Sequence, residues 1–225
     1  MENIPDKSYY FNTTSLKFKK DLVDFFKDKK LNNVLEIGTN EGHTTNILSK
    51  ISKKVYTIEL EDRFIQKARH NNLGSDNIVF IKGDAYDEKI YNENNLPNFF
   101  DLVFIDCVHE YTNILYDTNR ALNYLDPKKG IYLAYDDYGN DGIRSNEEKI
   151  LSQPVVYTAV QDIIKYMPKW RKKLLKEMKI ENTLERDNNW NIKIEDYIGE
   201  DKGFTYRINQ PPLARREGII LSYGK

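Results

Sequence analysis

The sequence predicts an α/β domain built on a mostly parallel sheet, and three observations carry that prediction. Five β-rich runs, at 33–37, 54–60, 77–82, 101–105 and 131–135, alternate with helix-compatible segments at 43–52, 62–72 and 111–125. Such alternation implies right-handed crossovers and parallel strands. A glycine pair, Gly38 and Gly42, follows the first run directly. Acids gather at the ends of the runs: Glu36, Glu59, Asp84, Asp106 and the pair Asp136-Asp137.

Each element has a local reason. Phe18, Leu22, Phe25 and Phe26 recur at helical spacing among lysines and aspartates, so 15–29 is an amphipathic helix. Val34-Leu35-Glu36-Ile37 is an apolar run interrupted by one carboxylate, which is costly in a buried strand unless it has a partner. Gly38 lets the backbone turn tightly, and Gly42 admits close packing where the next helix begins. This strand–glycine loop–helix order places backbone N–H groups and a helix N-terminus against a nucleotide-like ligand. The helix over 111–125 is stopped by Asp126-Pro127 and Gly130.

Past the fifth run the rhythm changes. Residues 138–153 form a polar loop, 155–166 a helix broken at Pro168, and 169–179 a basic segment. Ile192-Lys193-Ile194 alternates like a short strand. The runs at 204–208 and 218–223 read as a final antiparallel pair joined through Pro211-Pro212. No repeat or linker divides the chain. Residues 1–225 are therefore expected as one domain: an N-terminal arm and helix (1–30), a ligand-binding core (31–137), and a region of acceptor loop, helices and terminal strands (138–225).

Composition narrows the class. The 225 residues carry a formal net charge of −1, so no global basic field calls for nucleic acid. A single cysteine, Cys107, excludes an intramolecular disulfide and fits a reducing compartment. No apolar run approaches the roughly 18 residues of a membrane span, and the first residues lack a signal-peptide core. The expectation is a cytoplasmic protein without membrane or nucleic-acid partners.

The residues from Val34 to Tyr138 resemble the class I S-adenosylmethionine-dependent methyltransferases. Glu36-x-Gly38-x-x-x-Gly42 is similar to the first motif of O-methyltransferases related to catechol O-methyltransferase. FIDCVHEY after the fourth strand and YDDYG after the fifth resemble a subgroup of metal-dependent sugar and antibiotic O-methyltransferases. The resemblance implies a Rossmann-like class I methyltransferase fold: a mostly parallel seven-stranded sheet in the order 3-2-1-4-5-7-6, with helices on both faces. It also implies S-adenosylmethionine as cofactor and a small hydroxylated molecule as acceptor.

Site residues follow in that light. Glu59 ends the second strand about 20 residues past the glycine loop, where a carboxylate can accept both ribose hydroxyls; a solvated strand-end acid is the alternative. The resemblance gives Asp84 the adenine amino group, although aspartate also caps turns. Glu36, Gly38 and Gly42 belong to the methionine side, and Asp106 to the shared crevice. Asp106, Asp136 and Asp137 would repel one another without a cation, and hard oxygen ligands suit Mg²⁺. The resemblance places Asp, Asp and Asn at these positions, so Asp137 is a departure. His109, where catechol-type enzymes carry a lysine, is a candidate catalytic base, with a metal ligand or a loop histidine as alternatives. Cys107, His43 and His70 are read as packing or surface residues. The basic run 169–179 could meet phosphate or membrane but reads more simply as a solvated helix face. Arg215 and Arg216 could meet an acidic substrate or a second copy, so a homodimer is an open expectation.

Three other readings compete. A nucleotide-binding oxidoreductase shares the loop and the acid after strand two, but the glycine spacing is not G-x-G-x-x-G. A nucleic-acid or protein methyltransferase would carry a different motif after strand four. A non-catalytic subunit of the same fold would not need every acidic strand end.

Overall fold

The structure is a computed structural model and describes residues 14–126, 128–139, 155–177, 191–201 and 216–224. Seven strands form one sheet: β1 (Leu31–Ile37), β2 (Ser52–Glu59), β3 (Ile78–Lys82), β4 (Leu102–Ile105), β5 (Ile131–Tyr135), β6 (Ile192–Asp201) and β7 (Arg216–Tyr223). Their order is β3-β2-β1-β4-β5-β7-β6, as expected. The first five are parallel, and β7 runs antiparallel to both β5 and β6. The helices are α1 (Leu16–Phe26), α2 (His43–Ile51), α3 (Asp62–Asn71), α4 (Glu88–Glu93), α5 (Tyr111–Ala121) and α6 (Val155–Glu177). A short 3₁₀ turn, Leu122–Tyr124, follows α5.

The central strands are apolar on both faces because both are covered. Side chains alternate between them. Val34, Leu102, Phe104 and Ala134 join a core with Phe18, Leu22 and Phe26 of α1 and Ile47 and Leu48 of α2. Leu35, Val103, Ile105, Leu133 and Tyr135 point the other way, toward Ile114 of α5 and Val156, Val160 and Ile163 of α6.

Two expectations are corrected here. Pro168 lies inside α6 and does not end it. Proline removes one backbone donor from the helix, but buried Ile163 and Met167 hold the helix on the core ahead of it. Beyond it, the Arg171 guanidinium donates to the Leu122 carbonyl at 3.0 Å. The partner of the last strand is Ile192–Asp201, longer than the Ile192–Ile194 alternation suggested. Residues 204–208, expected to fill that place, fall outside the described residues. The helix α4 was not anticipated; its N-cap is Asp87, which accepts the Lys89 N–H at 3.0 Å.

One buried carboxylate ties the N-terminal helix to the last strand. Glu217 of β7 is 2% exposed. It accepts the Ser15 N–H at 2.7 Å, the Ser15 hydroxyl, and the Glu200 N–H at 3.2 Å. Ser15 in turn caps α1, its hydroxyl taking the Phe18 N–H at 3.1 Å. Glu217→Ala leaves these donors unserved in the core. It should lower the unfolding free energy by about 3 kcal/mol, the size of a lost hydrogen-bonded charge. The check is the urea midpoint at unchanged slope; an unshifted midpoint would count against the tie.

Candidate functional site

Strand register builds the site. Ile37 of β1 stands opposite Ile58 of β2 and Ile105 of β4, and Ile105 stands opposite Tyr135 of β5. The residues that follow, Gly38, Glu59, Asp106 and Asp136, therefore leave the sheet along one carboxyl edge. The ladder runs one residue further: the Asp106 N–H reaches the Ile37 carbonyl at 2.9 Å and the Asp136 N–H the Ile105 carbonyl at 3.1 Å. In open α/β sheets such an edge is the ligand crevice.

Gly38 has φ +98°, and a Cβ placed there would lie 1.8 Å from the Asp106 carbonyl oxygen. The loops after β1 and β4 thus touch through bare backbone. Gly42, at φ +77°, opens α2 where a Cβ would meet Ala68 Cβ of α3 at 2.8 Å. Between them Asn40, at φ 48°, donates its N–H to Glu59 Oε2 at 2.8 Å. Glu59 Oε1 takes the Glu61 N–H at 2.9 Å. Each carboxylate oxygen has a further lone pair, so Glu59 can shape the glycine loop and still accept from a ligand.

Glu36 is fully buried on the α2 face of β1. Its Oε2 takes hydroxyl hydrogen bonds from Thr45 of α2 at 2.5 Å and Thr57 of β2 at 2.6 Å. Oε1 has no hydrogen-bond partner among the described residues. Burial pushes the carboxyl up to about 8, against the two threonine bonds that pull it down. Thr45 and Thr57 were not singled out in the sequence. Only the pairing of Glu36 with Thr57 across β1 and β2 reveals one of them.

Asp84 sits exposed on the turn after β3 and accepts the Tyr86 N–H at 2.8 Å. It therefore caps its own turn and also presents a carboxylate at the edge.

Three groups converge beyond β4 and β5. His109 Nε2 lies 3.3 Å from Asp106 Oδ1, and His109 Nδ1 lies 3.2 Å from Asp137 Oδ2. Ligand atoms of Asp106, His109 and Asp137 all lie within 4.8 Å of one another. Asp137 is in the left-handed region, at φ 51°. That is uncommon for a residue with a Cβ, and such backbone gathers at functional sites. Asp136, only 5% exposed, is not one of the three converging groups. A neutral imidazole has one N–H donor. With carboxylate oxygens at both nitrogens, one contact sets lone pair against lone pair unless a proton or a metal ion stands between.

The remaining candidates lie elsewhere. Burial pushes the Cys107 thiol up to about 12, which leaves it no nucleophilic role near neutrality. His43 Nε2 is 3.7 Å from Glu41, and His70 lines a surface hollow with Glu41, Arg63 and Lys67. Arg216 turns inward, donating to the Tyr197 carbonyl at 3.2 Å with Asp21 at 3.6 Å. Arg215 lies outside the described residues, as do 1–13, 140–154 and 178–190. Lys169, Lys172 and Lys173 are exposed on α6. No described helix is long and apolar enough to cross a membrane.

Comparison with known proteins bears on this edge. A family model described as a methyltransferase domain matches residues 28–196. An uncharacterised protein of Acanthamoeba polyphaga mimivirus is 31% identical over 128 residues, 53% of this chain and 57% of that protein. A protein-L-isoaspartate O-methyltransferase of Caulobacter vibrioides is 48% identical over 54 residues, 23% of this chain and 24% of that one. The chain thus spans between a quarter and somewhat over half of these relatives. An O-methyltransferase from Bacillus cereus, solved with S-adenosylhomocysteine, superposes with a TM-score of 0.53 at 21% identity, over 93% of this chain and 80% of that one. An O-methyltransferase of tomaymycin synthesis from Streptomyces achromogenes, solved with S-adenosylmethionine, gives 0.56 at 17% identity, over 94% and 81%. At such identities the likeness to solved structures is one of fold.

Glu36 supplies a pH test. Its carboxyl ionises near 4.5 as a free group and at about 8 when folded. Between those values the folded state holds the extra proton. Its contribution is therefore fully present below 4.5 and is lost as pH rises through 8. Glu36→Gln should flatten the fall of the melting midpoint between pH 5 and 8 relative to the unsubstituted chain. Parallel melting curves across that range would show that no shifted proton sits there.

Proposed function

The chain belongs to the methyltransferase-domain family, and from that premise we propose that it transfers a methyl group from S-adenosylmethionine to a hydroxyl of a small molecule, with a divalent cation at the acceptor side. One observation carries the reading: Asp106, His109 and Asp137 meet at the carboxyl edge where the glycine loop touches Asp106. The acceptor, the metal and the base are proposals supported by that geometry and by the O-methyltransferases of similar fold.

The cofactor reading rests on groups in sequence along the edge. Glu59 retains lone pairs for two ribose hydroxyls, and Asp84 offers an acceptor for the adenine amine. Glu36 holds an unserved buried oxygen beside the glycine loop, where an ammonium group would favour the carboxylate. Leu60 and Val108, the apolar residues just past β2 and β4, are 61% and 40% exposed. Such exposure at a crevice suits an aromatic ligand.

The donor set fits a cation. The Asp106 and Asp137 carboxylates, gathered with His109 within 4.8 Å, repel one another until a positive charge stands among them. Asp106 and Asp137 would be the oxygen ligands. Magnesium is the expectation, held by carboxylate oxygens while the His109 imidazole stays off the metal and keeps its lone pair. A bound divalent ion lowers the pKa of an acceptor hydroxyl and fixes its direction. The protein's own share is to orient the acceptor and to take its proton at a His109 nitrogen. As the acceptor oxygen bonds the methyl carbon, the S–CH₃ bond breaks and the positive sulfonium becomes a neutral thioether.

The cofactor side is tested first. Calorimetry should show S-adenosylhomocysteine binding, and Glu59→Ala should weaken it about ten- to a hundred-fold, the worth of charge-assisted hydrogen bonds. No binding to the unsubstituted chain would end this reading.

The acceptor side is tested by a methyl-transfer screen over phenols, sugars and hydroxylated natural products. Chelation with EDTA should abolish turnover, and Mg²⁺ or Mn²⁺ should restore it. His109→Ala should lower turnover about 10²–10⁴-fold, the usual share of a general base, with cofactor affinity retained. Full turnover in EDTA would remove the metal and leave His109, oriented by Asp106 at 3.3 Å, as a metal-free base.

A further inference from the structure

Beneath the adenine side of the crevice lies a carboxyl with no part in the site described so far. Asp117, on α5, is fully buried. Its Oδ1 has no hydrogen-bond partner among the described residues. Its Oδ2 meets only the Tyr86 hydroxyl, at 3.5 Å, beyond the roughly 2.5–3.0 Å of an ordinary O–H···O bond. Acids left so poorly served in a core are rare and call for an explanation.

Several neighbours interact with it electrostatically: Tyr86 and Asp84 on the turn after β3, Cys107 just past β4, Tyr135 of β5 and Tyr91 of α4. Arg120, one turn further along α5, acts on Asp117 through its charge and is also engaged elsewhere. Its guanidinium lies over the Tyr91 and Tyr116 rings, at 4.3 and 4.8 Å from their centroids. It also donates to the Tyr116 hydroxyl. Burial pushes Asp117 up to about 7, against the Tyr86 hydroxyl and the Arg120 charge that pull it down.

Tyr86 is held through its backbone and its hydroxyl, which Asn113 of α5 also engages. Its N–H donates to Asp84 Oδ1 at 2.8 Å, its carbonyl accepts the Tyr116 hydroxyl at 3.3 Å, and its own hydroxyl rests on Asp117. Its ring packs on that of Tyr116 at 5.2 Å. The residue that orients the Asp84 carboxylate therefore has its far end on the unserved acid of α5.

We propose that Asp117 is a positioning residue for the adenine end of the cofactor crevice, acting through Tyr86 on the turn that presents Asp84. This rests on the cofactor reading above. The long Tyr86–Asp117 contact is the slack in the turn, and occupation of the crevice draws it shorter. Asp117 itself is sealed from the crevice and touches no ligand.

The test is calorimetric titration of S-adenosylhomocysteine into the full chain and its variants, with cofactor KM and kcat measured alongside. Tyr86→Phe and Asp117→Ala should each weaken binding about three- to ten-fold, as coupled neighbours do. Asp117→Asn keeps an oxygen acceptor and should bind nearly as the unsubstituted chain. Tyr86→Phe added to Asp84→Asn should weaken binding no further than Asp84→Asn alone. In Tyr86→Phe, a half-buried and conservative change, the cofactor KM should rise while kcat and the melting midpoint hold. If Tyr86→Phe binds as well as the unsubstituted chain, or if its loss adds in full to that of Asp84→Asn, the proposal is overturned. Absence of binding in the unsubstituted chain overturns the cofactor reading, and this step with it.

Discussion

The backbone of Gly38 lies so close to the Asp106 carbonyl that no side chain fits between them. That contact sets how far apart the first and fourth strands release their loops. Glu59 holds one side of the glycine loop through Asn40. Asp106 leads on the other side to His109 and Asp137. A ligand lying across the loop would thus have ribose-type acceptors on one flank and the acidic cluster on the other. The parallel register makes the arrangement rigid, since Ile37, Ile105 and Tyr135 are locked side by side where the loops begin.

Three fully or nearly buried acids show how the same chemistry serves different ends. Glu217 has donors on both oxygens and works as a structural rivet. Glu36 has two threonine hydroxyls on one oxygen and none on the other. Asp117 has one long contact. Glu36 and Asp117, the two left short of donors, are both driven toward neutrality by burial. A buried carboxyl short of partners is unfavourable for folding alone.

Much of this was legible in the sequence, and for a physical reason. Parallel strands buried on both faces are apolar runs, and acids at their ends stand out against them. The five runs and the acids at their ends could be read that way, whereas the seven-strand order, and with it the gathering of Glu59, Asp84 and Asp106 at one edge, followed from the resemblance to the methyltransferase family. Other features could not. Asp136 and Asp137 are adjacent letters, and only the left-handed backbone at Asp137 turns its carboxylate toward His109. The hydroxyls on Glu36 follow no pattern until β1 and β2 are paired. Proline at 168 carries a strong helix-breaking bias, which packing on the core overrides. The outermost strand β6 hid behind Glu195, Asp196, Glu200 and Asp201, the charges that suit an exposed sheet edge.

The tie between Ser15 and Glu217 has a consequence for how the chain is made. The α1 helix is made well before its cap partner, since the carboxylate that receives Ser15 lies 202 positions downstream. The β1–β5 core can pair while synthesis continues, because its neighbours are already present. Phe18, Leu22 and Phe26 can pack on Val34, Ile47, Leu48, Leu102 and Phe104 as those emerge, so what waits for β7 is the cap of α1 and not its apolar face.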